Sequence, residues 1–181
     1  LHDALPIYKV ESRPPFKARL TKPVVEMYKA MAPYMPFKYR FLLGNVWLLK
    51  PVMPFFMKKM GGQPAALVST TCVFTMAEGS RGANVIPETA SATANMRFMV
   101  HEPLEASLKK MLKLADKNDI WMEMITGYDI PPAADTTCPA YKKVVRQVEN
   151  TFGRIPVIPY VMLAGTDARH YTKICNCVLR F

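Results

Sequence analysis

Apolar and polar positions change their period along this chain, and the changes mark its elements. Between 89 and 100, Ala90, Ala92, Ala94, Met96, Phe98 and Val100 alternate with Thr89, Ser91, Thr93, Asn95 and Arg97. That alternation predicts a half-buried antiparallel strand with its even positions inward. The run 66–76 sets Val68, Cys72, Phe74 and Met76 to one side and predicts a strand before it, ending at the glycine-containing loop 78–82. Leu104, Leu108, Met111, Leu112 and Ala115 then recur at helical spacing, with Lys109, Lys110, Lys113 and Lys117 on other faces. Residues 119–125 resume a strand pattern, so the order is strand, strand, helix, strand.

The first third is built differently. Pro33, Pro36, Pro51 and Pro54 cut it into short helices, because proline lacks the amide donor that a helix interior needs. A helix around 24–31 in front of the strands makes α-β-β-α-β, a ferredoxin-like layer lacking only a first strand, which would lie before residue 1. After Pro131 and Pro132 a further unit begins. Tyr141, Val144, Val145, Val148 and Phe152 line one face of a helix, strands are expected at 157–162 and 175–181, and a short helical connection at Thr166. About fifty residues with two short strands are too few to bury a core alone, so this unit should belong to something larger. The fold class expected is α+β.

Composition changes the picture only locally. The net charge of +10 sits in residues 1–62, which hold eleven Lys/Arg against three Asp/Glu; the other 119 residues hold thirteen against eleven. Lys9, Arg13, Lys17, Arg19, Lys22 and Lys29 are scattered among prolines without a nucleic-acid-binding signature, and read as a solvated surface. No nucleic-acid partner is expected. Cys72, Cys138, Cys175 and Cys177 make neither a disulfide framework nor a complete zinc knuckle, so a reduced, cytoplasmic setting is the default. The apolar stretches 41–49 and 51–57 are interrupted by Lys50, Pro51 and Pro54 below the ~20 residues of a membrane span. No membrane partner is expected either.

Gly82-Ala83-Asn84-Val85-Ile86-Pro87, the strand end Asn95-Met96-Arg97, and Gly165-Thr166-Asp167-Ala168-Arg169 together resemble the aminoacylase, glutamate carboxypeptidase and carboxypeptidase S type of di-zinc hydrolase. The resemblance runs over roughly 11–181 and is nearest to the carboxypeptidase S and N-acyl-amino-acid hydrolase branch, which shares the proline- and aromatic-rich insertion. It implies a lid or dimerisation domain over 11–128 with a helical insertion at 33–62, and a piece of the catalytic domain over 129–181. Residues 1–10 are an unmatched leader, whose first seven residues read as a foreign junction. The chemistry implied is a metal-activated water attacking an amide, with two zinc ions in the full-length parent. The substrate implied is a peptide or N-acyl amino acid, and the lid implies a homodimer.

By motif, the resemblance makes Asn84 a substrate contact whose amide could donate to a carbonyl or carboxylate; read alone, it is turn chemistry in which asparagine tolerates left-handed φ. Arg97 matches the lid arginine, whose two parallel N–H donors fit a free carboxylate; the plainer reading is an exposed strand residue. Gly165 and Thr166 match a turn beside the metals, where glycine lets the backbone come close to a ligand. Asp167 and Arg169 would support that turn, while Thr166 and Asp167 also suit helix capping. His2, His101 and His170 lack clustered partners, so no metal ligand and no catalytic residue is expected here. The family's metal-binding motifs should lie before residue 1 and after Phe181, leaving the fragment inactive and without zinc. The rival reading, a stand-alone ferredoxin-like interaction or regulatory module, should end near Tyr128.

Overall fold

The computed structural model describes residues 5–12, 14–80 and 82–180. His2, Arg13, Arg81 and Phe181 lie outside them. The chain divides into two compact units, one of Leu1–Lys17 with Ser69–Asp129, the other of Ala18–Val68 with Ile130–Phe181. The α+β class holds.

In the first unit, helix α1 (Leu5–Ser12) precedes an antiparallel hairpin of β1 (Thr71–Glu78) and β2 (Ser91–Arg97), followed by a helix over Leu104–Asp116. Val10, Phe16, Cys72 and Met111 form the core, with Phe74, Ala94, Met96, Leu114 and Met122 packed against it. The even positions of β2 therefore face inward as expected, but the strand stops at Arg97, and Ala90 and Val100 are exposed beyond its ends. On β1 the expected inward set breaks after Phe74. Cys72 pairs with Met96 and Phe74 with Ala94, then the register shifts and Met76 stands opposite Thr93. The extra residue of this bulge turns Met76 outward, while the Thr75 hydroxyl donates to the Thr93 carbonyl at 3.3 Å.

Two expected strand segments are corrected here. The 66–76 run does not begin as a strand: helix residues Gly62–Val68 take its first part, aided by Pro64 in the first turn and by Ala65, Ala66 and Leu67. Nor does 119–125 form a strand. The Ile120 amide donates to the Ala115 carbonyl at 3.0 Å with Asp119 left-handed at φ 55°, a Schellman-type stop that uses the residue with which the strand should have begun. Met122 still packs against the core, while Ile120, Trp121, Met124 and Ile125 are exposed.

A buried polar knot ties the end of β2 to the helix after it. Met99 and Glu102 form an isolated bridge. The Thr70 hydroxyl accepts from the Met99 amide at 3.1 Å, and the Glu102 carbonyl accepts from the Ser107 hydroxyl at 2.9 Å. The Glu102 carboxylate, almost wholly buried, pairs with Lys110.

The second unit starts with α2 (Lys22–Met31) and a 3-10 turn (Ala32–Tyr34), then α3 (Phe37–Gly44), α4 (Val46–Leu49), α5 (Met53–Met60) and α6 (Gly62–Val68). The helix Leu104–Asp116 of the first unit is α7; α8 (Pro139–Phe152) and α9 (Ala168–Tyr171) complete the second. Proline breaks the first third into short helices as anticipated. Gly61 and Gly62, at φ 72° and 55°, make the left-handed corner between α5 and α6 that a side chain would strain. Leu20, Val24, Met27, Val46, Met57, Leu67 and Val68 form the core, and Ile158, Val161 and Leu163 pack against it. Burying a valine such as Val24 contributes about 1.5–3 kcal/mol.

The expected strands at 157–162 and 175–181 do not form among the described residues. Their apolar residues are used for packing, and the 130–181 segment shares its core with 18–68 rather than standing alone. A disulfide joins Cys138, at the start of α8, to Cys177, where a reduced setting is the default expectation. The pairing was invisible locally because 39 residues separate the partners.

Candidate functional site

In the first unit, Asn84 lies exposed in the loop beyond the Glu78–Ser91 end of the hairpin, while Arg97 pairs with Thr71 at the other end. From Ser91 to Arg97 the ladder runs roughly 20 Å at about 3.3 Å per residue. The loop is folded by its own bonds: the Ser80 hydroxyl donates to the Gly82 carbonyl at 2.9 Å, and the Val85 amide to the same carbonyl at 3.3 Å. Among the described residues the non-glycine with positive φ is Asp119, so Asn84 is not a left-handed turn residue. The local backbone therefore supplies no left-handed requirement for asparagine there. A depression of about 90 Å³ beside this end of the ladder is lined by Met76, Ala77, Glu78, Ser91 and Thr93. It is far below the few hundred cubic ångströms that ligand pockets usually have.

In the second unit, Gly165, Thr166, Asp167 and Arg169 are brought together in one turn opening α9. The Arg169 amide donates to the Thr166 carbonyl at 3.2 Å and the His170 amide to the Asp167 carbonyl at 3.0 Å. Asp167 occupies the N-cap position without a side-chain cap hydrogen bond. The Thr166 hydroxyl instead accepts from Arg180 Nε at 3.1 Å. Arg180 went unnoticed in the sequence because nothing in the pattern around it points fourteen residues back to a turn. Gly165 has neither a positive φ nor any atom within 4 Å of where a Cβ would stand. Neither backbone strain nor crowding within this chain accounts for glycine at that position.

Among the described residues no three His, Cys, Asp or Glu side chains come together in a way that could hold a metal. His101 Nε2 lies 2.9 Å from the Lys17 carbonyl, and His170 Nε2 accepts from Arg169 Nε at 3.2 Å. The described residues therefore supply no ligand set for the di-zinc centre that the resemblance assigns to the full-length parent. Burial, reinforced by the negative charge of Glu11, pushes the Cys72 thiol up, which makes it a core residue rather than a nucleophile. Asp135 is held below the usual carboxylate range by the Thr137 backbone amide at 2.9 Å and then by its hydroxyl at 2.8 Å, an Asx-type turn leading into α8.

The model of the peptidase dimerisation domain of the M20 family matches residues 27–123, more than half of the chain. An N-fatty-acyl-amino acid synthase/hydrolase of Xenopus tropicalis is 24% identical over 160 residues, covering 88% of this chain and 31% of its own length. A counterpart in Danio rerio is 28% identical over 159 residues, covering 85% and 30%. A probable carboxypeptidase S-like protein of Dictyostelium discoideum is 27% identical over 179 residues, covering 97% and 33%. The chain thus spans about a third of the length of these curated relatives. No solved structure matches it. Motifs, fold class and matches converge: this chain belongs to the M20 peptidase family, in its carboxypeptidase S and N-acyl-amino-acid hydrolase branch.

Proposed function

We propose that this chain is the lid and a portion of the catalytic domain of a zinc-dependent hydrolase that cleaves an amide or peptide bond next to a free amino-acid carboxylate. The observation that carries the reading is the family match over 27–123 together with relatives named as an N-fatty-acyl-amino acid hydrolase and a carboxypeptidase S-like protein. The division is 11–128 for the lid and 129–181 for the catalytic portion, with the lid pairing two copies of the parent.

The chain's own residues bind and orient. Arg97 would meet the substrate carboxylate with two parallel N–H donors, and Asn84 would donate from its amide. Supporting a contact role for Asn84 is its ordinary backbone in an exposed loop. Supporting one for Gly165 and Thr166 is the open space over the glycine and the Arg180 bond that orients the threonine hydroxyl. Asp167 and Arg169 support that turn. Zinc, in the parent, would supply the activated water; the residues described here hold no ligand set for it, and no step is routed through them. The isolated chain is expected to bind no stoichiometric zinc and to show no turnover.

In the zinc-loaded parent, Arg97→Ala should lower kcat/KM for an N-acyl amino acid by the equivalent of about 2–5 kcal/mol, the usual cost of losing a desolvated charge-assisted contact. The loss should largely vanish for a substrate whose carboxylate is amidated. An unchanged kcat/KM removes Arg97 from the site, and zinc-dependent turnover by the 181-residue chain alone overturns the division of labour.

A further inference from the structure

The helical insertion of the second unit is apolar on both sides. Leu43, Val46, Pro54 and Met57 are buried, Val46 and Met57 within its core. Yet between Tyr34 and Met60 large apolar side chains are also exposed, among them Phe37, Phe41, Trp47, Phe55, Phe56 and Met60, each more than half accessible. Scattered exposed hydrophobics are ordinary, but a concentration of aromatic rings within one short segment is not.

The charge of the same segment is one-signed. From Met27 to Ala77 there are six Lys/Arg and no Asp or Glu. Lys38, Arg40, Lys50 and Lys59 are exposed among the rings. A second copy of this segment would bring like charges together, whereas an anionic surface complements them. The helices are four to eight residues long, and none in the described chain is long and apolar enough to cross a membrane. Short helices that carry rings and long cationic stems suit the boundary between headgroups and acyl chains: rings enter it, and lysines extend their charges to the phosphates.

We propose that the insertion over 33–62 is a surface-lying membrane contact, which seats the protein on an anionic phospholipid bilayer by its exposed aromatic residues and basic side chains. This rests on the insertion alone and stands apart from the hydrolase reading.

The test is co-flotation of the full 181-residue chain with vesicles of phosphatidylcholine alone or mixed with phosphatidylglycerol, at low and high salt. In a Trp121→Phe background, Trp47 is the sole indole, and its emission should shift to the blue on anionic vesicles. The triple variant Lys38→Glu, Arg40→Glu, Lys59→Glu should weaken binding to anionic vesicles at least ~10-fold. The variant Phe41→Ser, Phe55→Ser, Phe56→Ser should abolish the shift with an unchanged helical circular dichroism spectrum. Failure of the unsubstituted chain to float, or equal flotation of both variants, overturns the proposal. So does a lipid-free dimer that the serine variant converts to monomer without altering flotation, which would assign the face to a second copy.

Discussion

The two units solve the same problem, covering an apolar face, by different means. The first lays α1 and α7 on one face of a two-stranded hairpin; half of its buried core, Cys72 and Met111, comes from positions whose spacing announced them, as do Phe74, Ala94 and Met96 packed against it. The second collects its core from short helices of 18–68 and from 157–163, segments about a hundred residues apart. In one, periodicity chooses the buried face, and the helix that follows the hairpin covers it together with Val10 and Phe16 from the start of the chain. In the other, the covering residues read locally as a strand but pack without a ladder, and a cross-link joins Cys138 to Cys177.

The largest effect expected on this contrast is from Val68→Asp. Val68 is fully buried in the second core, and a carboxylate there would cost about 4 kcal/mol or more. Urea denaturation should register the loss, and hydrogen exchange should rise at 158–163 as well as at 20–28. Unchanged protection at 158–163 would break the claim that the two segments share one core. Next, Cys177→Ser should lower stability by about 3–4 kcal/mol, from the entropy restored to the unfolded chain when a loop of this size is opened. Urea curves with and without reductant check it: reductant should bring the unsubstituted protein to the variant's midpoint and leave the variant unmoved.

A smaller loss is expected in the first unit from Lys110→Ala, which leaves the buried Glu102 carboxylate without its cation. Because Lys110 is about one-third exposed, solvent screens the pair, and roughly 2 kcal/mol is expected rather than the full cost of orphaning a buried charge. Glu102→Gln should cost less, since the charge then left unpaired is that of Lys110, which is about one-third exposed and can be solvated; the reverse ranking in urea midpoints would show that the knot owes little to the ion pair. Smallest is Asp135→Asn. Asp135 has a lowered pKa, so its stabilising contribution is present above the ordinary carboxylate range and lost as pH falls through the folded value. The difference in melting temperature between Asp135→Asn and the unsubstituted protein should therefore be slight and vanish in acid. A difference that grows in acid would reverse the sign.

Legibility followed the same divide. The helices over Leu104–Asp116 and Pro139–Phe152, the alternation through β2 and the proline-broken first third were readable because each depends on residues a few positions apart. The segments 119–125, 157–162 and 175–181 are short apolar-rich runs that read as strands, yet strand formation needs a partner edge in register, which no local pattern specifies. The candidate site was readable only as motifs. The motifs mark Asn84, Arg97, Gly165 and Thr166, but nothing in them marks the bond from Arg180 that orients Thr166.

By itself, then, the sequence determined the α+β class, the inward face of β2 and the motifs of the M20 family, since all of these are written in spacings of two to four residues or in contiguous runs. The tertiary structure alone decided which of the strand-like segments became strands, where the bulge at Thr75 turned Met76 outward, that 157–163 completes the core begun at Leu20, and that Cys138 meets Cys177. Those outcomes depend on which distant surfaces come into contact, and pairing at long separation is a property of the folded chain as a whole.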